Sequence, residues 1–192
     1  RIQVSGGRAL DSDLVPSLVI AKTKLISETS SFSKNGKMAI IDGGLEERKL
    51  SLDAHIEISE LGVLKDFQNR NEEYLKEIIN NLKELDVELL IVKDGIADEA
   101  ISLLSEAGIT AYRRFEREDI ERLSRLTKTN IVRDIRKITK EDLGKYSMRS
   151  EENIGGINYT TIEGEYGGAM TLVIRGSTPE IRDEVSRAFD DA

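Results

Sequence analysis

Cysteine is absent and histidine occurs once, as His55. Thiolate nucleophiles, disulfides and sulfur-ligated zinc are thereby excluded, and a Ser-His-Asp triad or multi-histidine metal site has almost nothing to be built from. His55 lies in Leu52-Asp53-Ala54-His55-Ile56-Glu57-Ile58. Strict alternation there gives a strand with Leu52, Ala54, Ile56 and Ile58 on its buried face, and leaves His55 an ordinary surface residue beside Asp53 and Glu57. Carboxylates abound, but no spacing singles out an acid and base pair. The glycine pairs Gly6-Gly7, Gly43-Gly44, Gly155-Gly156 and Gly167-Gly168 never continue as a Gly-x-Gly-x-x-Gly or Walker loop and read as turns. The residues by themselves offer no catalytic centre.

What they offer is binding chemistry. Leu61, Val63, Leu64 and Phe67 are apolar residues cut off from the nearest apolar stripe by the polar run Gln68-Asn69-Arg70-Asn71-Glu72-Glu73. Exposed apolar groups of that kind mark a contact for another protein. Ile101 and Leu103 flank the Ala100, Leu104, Ala107 face of a second predicted helix; core packing and binding are both open for them. Arg113, Arg114, Arg117, Arg122 and Arg125 alternate with Glu116, Glu118, Asp119 and Glu121, which reads as a salt-bridged, solvated helix face. With a net charge of −8, nucleic acid is not expected as the main partner. The charged fraction of 33% together with the missing cysteine hints at heat adaptation.

The element that must position the apolar tip is a helix from Ser59 to Leu85. Tyr74, Leu75, Ile78, Ile79, Leu82 and Leu85 repeat at helical spacing and anchor its second half on a core. Its first half either projects into solvent, over a total reach of roughly 40 Å, or folds back as a loop, Gly62 being a poor helix former. Lys37 to Ile41 and Val87 to Val92 read as buried strands. Asp98 to Ala107 is a helix stopped by Gly108, Ile109 to Tyr112 a strand, Arg117 to Leu126 a helix and Ile131-Val132 a short strand. That order makes a parallel or mixed sheet with right-handed crossovers the expected α/β heart.

Outside it, Thr23 to Gly36 is expected to be an irregular segment ending in an Asn35-Gly36 turn. Tyr159 to Glu163 and Ala169 to Ile174 are expected to pair as a hairpin. Thr178-Pro179 opens a last helix with Ile181, Val185, Ala188 and Phe189 as its apolar face. That helix and the first fifteen residues both fall outside the heart and are expected to meet as a second small unit, which makes the main domain an insertion. At 192 residues, one main domain with an appendage is expected. No run has the length of a membrane span, so a soluble chain without a membrane partner is expected. Arg1 in place of a methionine, and Asp190-Asp191 at the unfavourable end of a helix dipole, suggest a piece of a longer parent.

Several stretches resemble one family. Lys37-Met38-Ala39-Ile40-Ile41-Asp42, followed by Leu45-Glu46 and Asp53-Ala54-His55-Ile56-Glu57-Ile58, looks like the strands that lead into the helical protrusion of group II chaperonins, the thermosome and CCT family. Gly108-Ile109-Thr110-Ala111-Tyr112-Arg113-Arg114 is similar to the family's stretch ending in paired arginines. Thr171-Leu172-Val173-Ile174-Arg175-Gly176-Ser177-Thr178, continuing to Asp183-Glu184, Arg187-Ala188 and Asp190-Asp191-Ala192, is the clearest match.

The resemblance implies a chaperonin apical-domain-like α/β fold, with mixed sheets flanked by helices and a projecting helical protrusion. Residues 18–175 would be the apical, substrate-binding domain with its protrusion at about 59–73; residues 1–17 and 176–192 would belong to an intermediate domain. It implies a cytoplasmic, ATP-dependent molecular chaperone whose subunits form a double ring around unfolded polypeptides. Leu61, Val63, Leu64 and Phe67 would form the built-in lid, and Ile101 and Leu103 would lie on a helix beside the substrate-facing groove. ATP and Mg would be cofactors of the full-length parent, bound in an equatorial domain, with none in these residues. Asp191 would be catalytic only in that parent, accepting a hydrogen bond from the attacking water. The alternative is a small α/β enzyme or ligand-binding domain with a pocket at the carboxyl ends of the strands Val87 to Val92 and Ile109 to Tyr112.

Overall fold

The computed structural model describes residues 2–5, 8–26, 29–45, 61–154, 156–166 and 170–190, with backbone alone for 2, 4, 5, 13, 15, 61–69, 154 and 173. The expected strand over Leu52 to Ile58, His55 within it, and Asp191 lie outside the described residues. The fold is a mixed α/β arrangement built on two sheets.

The centre of the larger sheet is set by two apolar runs. β4 (Phe32–Ile41) and β5 (Val87–Val92) are parallel neighbours. Residues alternate between the two faces of a strand, and both faces are covered over Met38–Ile41 and Leu89–Val92, so those two stretches carry no polar residue. On one face, Ala39, Ile41, Leu90 and Val92 pack under α1 (Leu61–Glu84) and α2 (Asp98–Glu106). On the other, Met38, Ile40, Leu89 and Ile91 face Leu18, Ile20 and Ile162, with Ile120, Leu123 and Leu126 of α3 (Arg117–Thr127) closing the layer.

The strand order is β3-β9-β8-β4-β5-β6, with β3 at Ser17–Ile20, β6 at Thr110–Tyr112, β8 at Gly144–Ile154 and β9 at Ile157–Gly164. β7 (Ile131–Val132) joins β4 in parallel beside Ile40 and Ile41. The sheet curls until its ends approach. The Leu25 amide, just beyond β3, donates to the Ala111 carbonyl of β6 at 3.0 Å, and the Lys22 ammonium donates to the Arg114 carbonyl.

Two local expectations are corrected. Phe32 to Gly36 is strand, continuous with the predicted Lys37 to Ile41, and pairs antiparallel with β8 from Phe32↔Ser150 to Met38↔Gly144. The Asn35-Gly36 pair is a kink inside that strand: Asn35 has φ 54°, and a Cβ on Gly36 would lie 2.1 Å from the Tyr146 hydroxyl. The pair therefore serves a close approach of two strands. The expected hairpin between Tyr159 to Glu163 and Ala169 to Ile174 does not form either. Both edges of β9 are occupied, by β8 and by β3, so β10 (Thr171–Gly176) has no place beside it.

β10 instead centres a second sheet, between parallel β1 (Ile2–Ser5) and antiparallel β2 (Asp13–Val15). The last helix, α4 (Pro179–Asp190), follows with the Thr178 hydroxyl accepting the Ile181 amide at its start, 3.4 Å away. Gln3 donates to Asp183 at 3.0 Å, and the Arg175 amide to the Ser12 hydroxyl at 3.0 Å, so the first residues and the last helix are in contact. The predicted apolar face of α4 is uncovered, with Ile181 and Phe189 both exposed.

α1 begins and ends within two residues of the predicted bounds, and its backbone is helical through Gly62, which removes the folded-back loop reading. The helix α2 ends where expected. Gly108 at φ 72° lets its own amide reach the Ser105 carbonyl and the Ile109 amide the Leu104 carbonyl, both at 3.0 Å. No helix among the described residues is long and apolar enough to cross a membrane.

Candidate functional site

α1 carries a stripe of buried side chains, Leu75, Ile78, Ile79 and Leu82, that holds it on the sheet. Among the residues whose side chains are described, from Arg70 onward, the stripe starts at Tyr74 and Leu75, and Arg70, Glu72 and Glu73 before it are exposed. At 1.5 Å per residue the 24-residue helix is about 36 Å long, of which roughly 16 Å lies from Tyr74 onward. Leu61, Val63, Leu64 and Phe67 occupy the first two turns, and only their helical backbone is described.

Each flank of the anchored half borders a groove. Lys76, Ile79, Asn80 and Lys83 face Leu103, Glu106 and Ala107 of α2 across a cleft of about 180 Å³. The wall is apolar in the middle, where Ile79, Leu103 and Ala107 meet, and charged at the rim. Lys76 pairs with Glu72 at 2.6 Å, and that bond holds the Lys76 ammonium above the ordinary lysine range. On the other flank, Tyr74, Glu77, Ile78 and Asn81 face Arg136 to Thr139 across about 470 Å³.

Ile101 and Leu103 are both half-buried and both pack against the core, whereas Ala100 and Leu104 on the same helix are fully buried. Of the two, Leu103 lines the cleft against α1. The opposite wall, Ile79, was read from the sequence only as core. The i and i+4 spacing from Ile79 to Lys83 and from Leu103 to Ala107 was a usable signal, but not evidence that those two faces meet. Leu61, Val63, Leu64 and Phe67 are not brought to the cleft by any described contact, and Asp191 is outside the described residues.

The carboxyl ends of the parallel strands also carry a pocket, of about 180 Å³, between Asp42, Lys93, Arg117, Glu121 and Arg133. Its charges already satisfy one another: Asp42 accepts from Lys93 at 2.7 Å with Arg133 3.9 Å away, and Arg117 pairs with Glu121 at 3.0 Å. The Lys93 hydrogen bond holds the Asp42 carboxyl below its ordinary range. That space is smaller than the 300 Å³ or so of common small-molecule sites. No group of three or more potential metal ligands occurs among the described residues.

The sequence matches the family model described as the TCP-1/cpn60 chaperonin family over residues 1–192. It is 36% identical over 188 residues to a thermosome subunit of Pyrococcus horikoshii, covering 97% of this chain and 34% of that one. It is 32% identical over 189 residues to the thermosome subunit alpha of Thermoplasma acidophilum, covering 98% of this chain and 35% of the relative. The chain thus spans about a third of the length of these relatives. Its fold is similar to an open-state monomer of a group II chaperonin from Methanococcoides burtonii, with a TM-score of 0.72 at 24% identity, over 99% of this chain and 41% of that structure.

Proposed function

Because the chain belongs to the TCP-1/cpn60 chaperonin family, we propose that it is the substrate-binding, lid-bearing part of an ATP-dependent chaperone that binds and encloses unfolded polypeptides. The observation that carries this reading is the cleft between α1 and α2, where half-buried Leu103 and Ala107 face Ile79 inside a charged rim. An apolar strip of that kind gains free energy by covering exposed apolar segments of an unfolded chain, without requiring any particular sequence. The rim of Lys76, Lys83 and Glu106 keeps the same surface wetted when no client is bound.

In this reading residues 18–175 form the apical domain, and residues 1–17 and 176–192 belong to the intermediate domain. Leu61, Val63, Leu64 and Phe67 are the lid contacts, carried beyond the body by the unanchored half of α1. The parent works in the cytoplasm as a double ring of such subunits, and ATP and Mg act in its other domains. Asp191 contributes to water activation only there.

The test is suppression of aggregation of an unfolded client by this chain. Leu103→Ser and Ile101→Ser are expected to reduce suppression, while Leu61→Ser/Leu64→Ser/Phe67→Ser is expected to leave client capture in place and impair lid closure in the parent ring. Unchanged suppression with the α2 variants, together with unchanged closure in the triple variant, sinks the assignment.

A further inference from the structure

β3 is an edge strand. It pairs with β9 on one side, and among the described residues no second strand pairs with it; on that free side the Ser17 carbonyl accepts the Thr171 hydroxyl, and the Ile20 carbonyl accepts the Lys22 amide at 3.0 Å. A cleft of about 730 Å³ opens there, lined by residues 17–22 in unbroken succession. Side chains of consecutive strand residues point to opposite faces. A cleft that all of them line, with α3 on one face and Tyr159 of β9 on the other, therefore opens onto the strand's edge rather than onto either face, and Gln3, Met170 and Thr171 close it at the Ser17 end.

The α3 wall supplies charge. Asp119, Arg122 and Arg125 stand one helical turn apart along it, and Lys22 ends the strand side, so three cations meet one carboxylate in a chain whose net charge is −8. Arg122 shares Asp119 at 3.6 Å and Glu118 at 3.7 Å; Arg125 has no ion pair among the described residues. At the far end the Ser17 hydroxyl is fully buried, with no hydrogen-bond partner in the structure. A buried hydroxyl left unpaired is costly, so this end of the strand is the less favourably packed one.

We propose that this edge is a docking site for an extended, acidic segment of another polypeptide, which adds to β3 as a further strand. Main-chain hydrogen bonds to the edge groups that Thr171 and Lys22 do not already occupy supply affinity, and carboxylates on the segment's α3-facing side meet Arg122 and Arg125. Charged side chains on an edge strand itself discourage strand addition. Here two of the three cations stand on the neighbouring helix, where they border the edge without blocking it. The site is separate from the α1 and α2 cleft and does not depend on the function assigned to that cleft.

The probe is an acetylated eight-residue peptide of alternating valine and glutamate, titrated into the chain by calorimetry. Its lysine counterpart and two versions N-methylated at alternate residues serve as comparisons. The glutamate peptide is expected to bind at least about tenfold more tightly than the lysine peptide, and Arg122→Ala/Arg125→Ala to remove about tenfold of that affinity. One N-methylated version should fail and the other bind, because only alternate amides of an added strand face its neighbour. Leu103→Ser should leave the binding intact. Equal binding of both N-methylated versions, indifference to the arginine pair, loss of binding in Leu103→Ser, or affinity for pyrophosphate without affinity for the peptide overturns the proposal.

Discussion

The guanidinium of Arg149 and the phenol of Tyr112 meet inside the curled sheet, 3.2 Å apart, with Glu151 hydrogen-bonded to both. Arg149 is 1% exposed. It also reaches the Ser33 hydroxyl at 3.3 Å and the Ser30 carbonyl, and so ties the segment before β4 to β8. Lys24 approaches the same carboxylate at 3.7 Å. Strands distant in the sheet order are thus joined through one polar cluster, which holds the curl.

Removing the central charge of that cluster should be costly. Arg149→Ala leaves the largely enclosed Glu151 carboxylate without its buried cation, and deprives the Ser30 carbonyl and the Tyr112 hydroxyl of a donor, so a loss of about 3 kcal/mol in unfolding free energy is expected. Tyr112→Phe removes a hydroxyl only and should cost about 1 kcal/mol plus any penalty for the unpaired Glu151 oxygen. Urea midpoints of the two variants check the order, and an Arg149→Ala midpoint equal to the parent's would contradict the cluster's role.

Alkaline pH should reach the same place. Burial, reinforced by the hydrogen bond to Glu151, pushes the Tyr112 phenol far above its ordinary range. The folded state therefore keeps a proton that the unfolded chain loses near pH 10. The stabilisation is complete below about pH 10 and declines as pH rises beyond it. Urea unfolding between pH 9 and 11 should show a steeper loss for the parent chain than for Tyr112→Phe.

The kink in β4 makes a different demand. Gly36→Ala places a methyl group against the Tyr146 ring, whose nearest carbon would lie 2.3 Å away, in a side chain that is itself buried. Overpacking of this kind costs about 1–3 kcal/mol. Tyr146→Phe should not rescue it, because the clash includes ring carbons; a rescued melting temperature would show that the hydroxyl alone sets the spacing.

On α2, stability and client capture should separate by residue. Leu104 is fully buried, so Leu104→Ala should lower stability by about 2–5 kcal/mol. Leu103 is half-buried at the cleft. Leu103→Ala should cost less than Leu104→Ala and reduce retention of an unfolded client more. Thermal melts and aggregation assays on the same two variants check both halves.

The elements that were legible in the sequence are those whose apolar pattern matches their burial. Val87 to Val92 is a strand with both faces covered, and α2 and α3 carry a single apolar face each. β8 was not legible, because of its two large side chains that are only 1% exposed, Tyr146 and Arg149, one is charged and gives no apolar signal. The misplacement of β10 has a similar root: alternation identifies a strand but not its neighbour. At the cleft, Leu103 stood out because it flanks an apolar face, whereas Ile79 belonged to a stripe whose other members are core. Arg125 was grouped with paired charges, whereas among the described residues it has no ion pair and Arg122 shares Asp119 and Glu118; sequence spacing does not tell the two apart.

The small sheet carries a mechanical consequence. β1 and β10 lie side by side and run in the same direction, from Ile2↔Val173 to Ser5↔Gly176. Tension pulling the start of β1 and the end of β10 apart slides the strands lengthwise, so all four residue pairs bear the load in shear at once. A joint loaded this way resists peeling, and the body held behind it can be swung by its two chain ends as one piece.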